Sequence, residues 1–277
     1  MSTPIAFSTN GNAAAFTVAT GRGFQYGDCV FRTVLKFDGR IIDFDAQLLR
    51  LRDDAARLGI RIEEAGLAQL RDEVILVTAA TETGAIKLVL TRRDGGRGYR
   101  SASGEADRHI LLYAAPKYPS EYWSDGIVAA MSTIVIAQQP ALAGVKHLNR
   151  LEQVLAYQAA PADAEEVILC DVGGHVICGG RSNLFCVIGG VLTTPDLSQA
   201  GVHGHMRDKV LRLASELGIR TRVAPIPRRH FAAADEVFVT NSLIGIWPLK
   251  RVDSRSWRTP GEVTSRLAQA LAHPVLA

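Results

Sequence analysis

The stretch EEVILCDVGGHVICGGRSNLFCVIGGVLTT, Glu165–Thr194, decides the fold. Four short apolar runs, EEVILCDV, HVIC, NLFCVI and VLTT, are separated by the pairs Gly173-Gly174, Gly179-Gly180 and Gly189-Gly190. Short runs of this composition bounded by glycine read as strands joined by tight turns. Several in succession predict a strand-rich, barrel-like domain. The middle pair raises a question of its own. It follows Cys178 and interrupts what reads as one strand leading into the next, so something must come close to the backbone there.

The pattern extends in both directions. Upstream, GIVAAMSTIVIA is a strand, and KHLNRLEQVLAYQAA predicts a helix from about Leu148. Downstream, HMRDKVLRLASELG predicts a helix capped at Gly218, DEVFVTN a strand, and Ser265–Ala272 a terminal helix. In the first half, CVFRTVLKF (Cys29–Phe37) is a strand closed by the turn DGR. An amphipathic helix follows, with Leu48, Leu51, Ala55 and Leu58 on one face. A second helix is expected over Leu67–Thr81, then the strands AIKLVLTRR and RHILLYAAP around a glycine-rich loop. KYPSEYWSDG is rich in turn formers and reads as a linker. The expected organisation is α+β in two domains. A smaller N-terminal domain covers 1–116 and a linker 117–124. A larger C-terminal barrel-like β domain with helices, carrying Lys146, covers 125–277.

Composition narrows the class without naming a reaction. The chain has 277 residues, 47% hydrophobic and 21% charged, with a net charge of +3. That charge is too small to point to nucleic acid or a membrane surface. No apolar run reaches the length of a membrane span, and the N-terminus lacks the pattern of a secretory leader. Cys29, Cys170, Cys178 and Cys186 form no C-x-x-C pair, which argues against structural zinc and fits a reducing cytoplasm.

A few residues carry chemistry. Lys146, in AGVKHLNRLEQ, lies just before a predicted helix; the ordinary reading is a solvated lysine, the functional one a lysine held in a pocket to form a Schiff base. GVHGHMR places Gly201 and Gly204 at a helix N-terminus, where free N–H groups suit a phosphate, although most such ends bind nothing. Ser242 in VTNSLIG offers a hydroxyl. RRDGGRGYR carries four arginines, either a solvated hairpin tip or a loop for an anionic substrate. His203 and His205, with His147 and Asp28, lack any common metal-ligand spacing, so no metal is expected.

GFQYGDCVFRTV, QLLRLRDDAARLGI, GGRGYR, VKHLNRLEQVLA, RSNLF, TPDLSQAGVHGHMR and ADEVFVTNSLIGIWPL occur in this order. Together they resemble the 4-amino-4-deoxychorismate lyases. These are fold-type IV members of the pyridoxal 5'-phosphate (PLP) superfamily that includes branched-chain and D-amino-acid aminotransferases. The likeness runs from about Gly21 to Leu249. KHLNRLEQ and TNSLIGIWP are specific to the lyase branch, while YGD and NLF are common to the superfamily. The resemblance implies a small N-terminal α/β sandwich, a larger barrel-like domain, a site between them and a homodimer. It implies that Lys146 is the Schiff-base lysine and that Arg50 grips the PLP phosphate. Ser242, beside Asn241, would donate to that phosphate, and the backbone N–H groups of His205 and Met206 would complete its cup. Arg97, with Tyr26, is expected to meet the substrate, a small anion with two carboxylates. The implied reaction gives 4-aminobenzoate and pyruvate, a step toward folate, with Lys146 as general base. By the same likeness the PLP ring lies along Gly179-Gly180.

The sequence departs from the pattern where it matters most. Aligned on Asn183-Leu184-Phe185, Cys178 occupies the position of the glutamate that pairs with the pyridine nitrogen of PLP. Gly21-Arg22-Gly23 replaces Asp-Arg-Gly, Cys29 follows Tyr-Gly-Asp in place of glycine, Arg32 stands where an acidic or small residue is common, and Gln47 where histidine is frequent. A thiol is a weak hydrogen-bond partner and does not hold a pyridinium as a carboxylate does. The loss weighs against an aminotransferase more than against a lyase, whose reaction is pulled forward by aromatisation. A non-catalytic relative with weakened PLP binding is the third reading.

Overall fold

The computed structural model describes residues 5–12, 21–93 and 98–276. The chain divides into two compact units. The first holds residues 1–117 and takes back 145–149; the second holds 118–144 and 150–277.

The first unit is a five-stranded antiparallel sheet with helices on one face. Its elements are β1 (Ala6–Thr9), α1 (Arg22–Tyr26), β2 (Cys29–Phe37), β3 (Arg40–Ile41), α2 (Phe44–Arg57), α3 (Glu64–Thr78), β4 (Gly84–Arg92) and β5 (Ala106–Ala114). The strand order is β1-β5-β4-β2-β3. Val30 and Val34 of β2, Ile86, Leu88 and Leu90 of β4 and Ile110 of β5 bury one face against Leu48, Leu51 and Ala55 of α2 and Leu70 and Val74 of α3. The i, i+3, i+7 spacing of the α2 residues makes the apolar stripe that seats it there. Beyond two-residue β3, the edge of β2 is covered by the returning segment: the Phe31 N–H donates to the Lys146 carbonyl at 2.9 Å, and Val30 bridges His147.

The second unit contains α4 (Glu121–Ser124), β6 (Ile127–Ile136), α5 (Leu151–Gln158), β7 (Glu166–Asp171), β8 (His175–Gly179), β9 (Asn183–Ile188), β10 (Val191–Thr194), α6 (His205–Glu216), β11 (Thr221–Val223), β12 (Ile226–Pro227), α7 (Arg228–Ala232), β13 (Glu236–Asn241), β14 (Gly245–Val252), β15 (Arg255–Ser256) and α8 (Glu262–Leu271). Its strands run β11-β10-β9-β13-β14-β6-β7-β8-β12, with β15 on β14. β8 and β9 are successive in sequence yet far apart in that order. Between them lie five inter-strand steps, about 24 Å in a flat sheet. The four Cα–Cα links from Gly179 to Asn183 span at most about 15 Å. The sheet therefore has to curl, and the result is an open half-barrel. Both faces of β9 are buried: Leu184 and Cys186 point one way, Phe185 and Val187 the other, onto α6 and α8. This is why NLFCVI is an unbroken apolar run rather than an alternating one.

The structure adjusts several expectations. The helix expected from Leu148 begins at Leu151, because 145–149 is drawn out along β2. Lys146, expected in the larger domain, clusters with the first unit. β14 is a central strand with Pro248 in its interior, and its register shifts between Leu249 and Arg251. Among the described residues no helix is long and apolar enough to cross a membrane.

Candidate active site

In the first unit the chemistry gathers around Lys146. Its backbone N–H donates to Asp54 Oδ2 at 3.2 Å, and the same oxygen accepts from Arg32 Nη2 at 2.5 Å. Burial pushes the Asp54 carboxyl up, against the lowering pull of Arg32, the Lys146 N–H and Arg50. Arg50 is one turn before Asp54 on α2. The Lys146 ammonium lies 4.5 Å from the centre of the Phe31 ring, and Lys87 Nζ lies 4.9 Å from it. Burial lowers the pKa of Lys87. Cys29, two residues before Phe31, has its thiol pushed up to about 12, again by burial first. Two lysines therefore share one ring, and Asp54 fixes the backbone of the first.

Tyr26 sits elsewhere in this unit, at the end of α1. It lines an open polar pocket of about 470 Å³ with Arg22, Asp28, Arg92, Tyr99 and Ser101. Its hydroxyl accepts the Gly98 N–H at 3.1 Å. Arg22 and Arg92 both donate to Asp28 Oδ2 at 2.9 Å, and their Nη1 and Nη2 groups donate to backbone carbonyls. They brace the loop after β4. Arg97 lies outside the described residues.

In the second unit two asparagines organise the segments that carry several of the expected residues. Asn183, the first residue of β9, pairs in register with Thr240 of β13. Asn183 Nδ2 donates to the Val202 carbonyl at 2.8 Å, and its Oδ1 lies so close to Gly204 that a Cβ there would come within 2.0 Å. Gly204 is the N-cap of α6 and supplies no side-chain cap, and His205 and Met206 stand in the first turn of that helix, the end that favours an anion. Asn241, next to Thr240, accepts the N–H groups of Leu243 and Ile244 and donates to the Arg181 carbonyl at 3.2 Å. Ser242 lies in the turn this builds. Asn183 thus ties β13 to the start of α6, where His205 and Met206 follow Gly204, and Asn241 ties the turn holding Ser242 to Arg181.

The middle glycine pair has a different cause from the one expected. A Cβ on Gly179 would meet Ser182 Oγ at 2.1 Å and Glu166 Cδ at 2.9 Å; one on Gly180 would meet Tyr157 Cε2 at 2.6 Å and Val167 Cγ2 at 2.7 Å. The chain's own side chains require the glycines. Glu166 is fully buried. Its Oε1 accepts from the Tyr157 hydroxyl (2.6 Å) and the Val167 and Gly180 N–H groups (both 2.9 Å), and its Oε2 from Ser182 (2.7 Å). That carboxylate is committed to the turn and does not replace the one missing at Cys178. Cys178 itself is buried with Val167, Leu169, Ile177, Leu197 and Ala200.

Residues 29–252 match the model of the amino-transferase class IV family. The chain belongs to that family. Amino-transferase class IV proteins of fold type IV depend on PLP, and the α+β fold with its curled sheet is theirs. The chain is 31% identical over 270 residues to the aminodeoxychorismate lyase of Vibrio harveyi, covering 94% of this chain and 97% of that one. It is 27% identical over 262 residues to the D-alanine aminotransferase of Bacillus licheniformis, covering 92% and 90%. The crystal structure of 4-amino-4-deoxychorismate lyase from Pseudomonas aeruginosa superposes with a TM-score of 0.90 at 36% identity, over 98% of this chain and all of that one.

The class IV cofactor is an anion on an aromatic ring. Within the second unit, the α6 N-terminus and the amides of Asn183 and Asn241 are groups of the kind that suits a phosphate; within the first unit, Lys146 carries an amine of the kind a Schiff base needs. The Cys178 thiol is a weaker hydrogen-bond partner than the carboxylate expected at its position. Sequence reasoning missed Asp54, Phe31, Lys87 and Glu166. Lys87 carried a signal, being a charged residue inside the otherwise apolar AIKLVL. So did Glu166, an acid at the head of a strand buried throughout.

Proposed function

We propose that the protein is a PLP-dependent lyase converting 4-amino-4-deoxychorismate to 4-aminobenzoate and pyruvate, a step toward folate. The observation that carries this reading is the likeness to two aminodeoxychorismate lyases over nearly the whole chain, with Lys146 held by Asp54 beside Phe31. Arg50, Ser242 and the His205 and Met206 N–H groups would hold the phosphate, and Lys146 would bond the cofactor. When bound, PLP withdraws electrons from the carbon bearing the substrate amine. The Lys146 amine would serve as the general base that takes the ring proton. Its reach is set by the backbone anchor at Asp54, which keeps the lysine from drifting with the segment. Arg97 and Tyr26 are assigned to the substrate carboxylates, with Lys87 as a further cation in the same unit. The protein is expected to act as a homodimer in the cytoplasm.

Cys178 bears on the choice between lyase and aminotransferase. A thiol gives weaker support to the pyridine nitrogen, which penalises a reaction that must sustain a carbanion. Loss of pyruvate from a ring becoming aromatic needs less support. Purified protein should be yellow, and borohydride should fix the cofactor on Lys146. Release of 4-aminobenzoate and pyruvate should disappear in Lys146→Ala. Wild-type protein that takes up PLP and forms no 4-aminobenzoate would sink the proposal.

A further inference from the structure

Arg181 follows the Gly179-Gly180 pair and is held on three aromatic rings. Its guanidinium carbon lies 5.8 Å from the centre of Tyr118, 5.9 Å from Tyr157 and 5.6 Å from Trp247. Tyr118 and Trp247 meet edge to face at 4.6 Å. Trp247 is fully buried, Tyr118 and Tyr157 are half-buried, and Arg181 itself is exposed.

The backbone of Arg181 is fixed, because Asn241 Nδ2 binds its carbonyl and Glu166 pins the preceding N–H at Gly180. Its side chain is only partly used. Nη2 donates to the Glu165 carbonyl at 2.9 Å, and among the described residues this is the one hydrogen bond the guanidinium makes. Two carboxylates are close in sequence, but neither pairs with it. Glu166 is taken by its own four donors, and Glu165 accepts from the Tyr122 hydroxyl and the Val128 N–H. An arginine that feels the Glu166 charge without a direct ion pair, held among rings and with guanidinium donors beyond the one bond to Glu165, is suited to take a planar anion. Buried Trp247 backs the guanidinium, and half-buried Tyr118 and Tyr157 offer ring surface to an aromatic group carrying that anion.

We propose that Arg181, with Tyr118, Tyr157 and Trp247, forms a subsite for an aromatic carboxylate, and that it takes the ring carboxylate of the substrate and of 4-aminobenzoate. The assignment rests on the lyase reading for the identity of its ligand, and on the second unit alone for its geometry. Arg181 is then a specificity residue for the ring half of the substrate and not for the pyruvate half.

The test uses PLP-loaded protein and compares wild type with Arg181→Gln and Arg181→Lys. Calorimetric titration with 4-aminobenzoate, with benzoate and with pyruvate gives the binding side. Arg181→Gln should weaken both aromatic acids about tenfold or more, the loss of about 1.4 kcal/mol, while pyruvate binding and PLP absorbance stay as in wild type. Arg181→Lys should lie between, since it keeps the charge and loses the paired donors. In steady-state assays KM should rise more than kcat falls. Equal affinity of wild type and Arg181→Gln for both aromatic acids would overturn the proposal, as would a loss shared equally by pyruvate. If wild type makes no 4-aminobenzoate the lyase reading fails, and the benzoate titration still decides the subsite.

Discussion

Each unit fixes its chemically important backbone with a buried carboxylate, but the two carboxylates are satisfied differently. Asp54 accepts the Lys146 N–H and is paired with a buried cation, Arg32. Glu166 accepts the Gly180 and Val167 N–H groups and two hydroxyls, and has no cation bonded to it among the described residues. The first anchor is an ion pair whose members depend on each other. The second is a cage of neutral dipoles around one charge. Removing a member of a buried pair strands a charge, whereas removing charge from a cage of dipoles strands only donors.

The comparison breaks most visibly at Asp54. Asp54→Ala leaves Arg32 buried without its partner and should cost about 3–5 kcal/mol. Arg32→Leu combined with Asp54→Leu removes both charges and should cost clearly less than Asp54→Ala alone. Urea unfolding of Asp54→Ala, Asp54→Leu, Arg32→Leu and the double variant measures this, and a double-variant loss equal to the sum of the two leucine singles would show that the pair is not coupled. Because Asp54 also binds the Lys146 N–H, the double variant should still lose turnover after its stability is recovered.

Glu166→Gln should be milder, about 1.5–3 kcal/mol. The glutamine oxygen keeps part of the cage, while its NH₂ faces a donor. No charge is left behind, so a second substitution should not rescue it as the paired loss rescues Asp54. A drop as large as that of Asp54→Ala would erase the distinction between the two anchors.

Much of this was legible in the sequence, and the failures have local causes. Cys29–Phe37 reads as a strand and is one, because its β-branched run lacks glycine and proline. Gly189 and Gly190 both take positive φ, 56° and 73°, the conformation a two-residue hairpin demands. Pro248 hid β14, since proline inside an apolar run argues against a central strand and a register shift follows it here. The helix beginning at Leu151 was placed three residues early because Phe31 and Asp54, more than ninety positions away, hold Lys146 in an extended segment. Cys178, His205, Met206, Asn241 and Ser242 could be named from their motifs, and His205 and Met206 stand where expected, at the start of a helix. For Glu166 the sequence signalled only an acid at the head of an apolar run, since nothing in EEVILC tells which of the two glutamates turns inward.

The smallest effect concerns the cysteines of the two units, and it leaves stability untouched. Burial holds the Cys29 thiol at about 12 and pushes Cys186, in the second unit, further up. Only the thiolate reacts with alkylating reagents, so at pH 8 roughly one Cys29 in ten thousand is reactive at any moment. An unfolded cysteine, near 8.5, is ionised to about a quarter at that pH. Raised folded pKa values mean that labelling of the native protein should climb about tenfold per pH unit from 8 toward 12 if opening does not intervene. Iodoacetamide with mass mapping at pH 8 should therefore mark Cys29 and Cys186 far more slowly in native than in urea-unfolded protein. Labelling of native Cys29 at the unfolded rate would mean that the β2 edge beneath Lys146 opens readily, and that the Asp54 anchor is the weaker of the two.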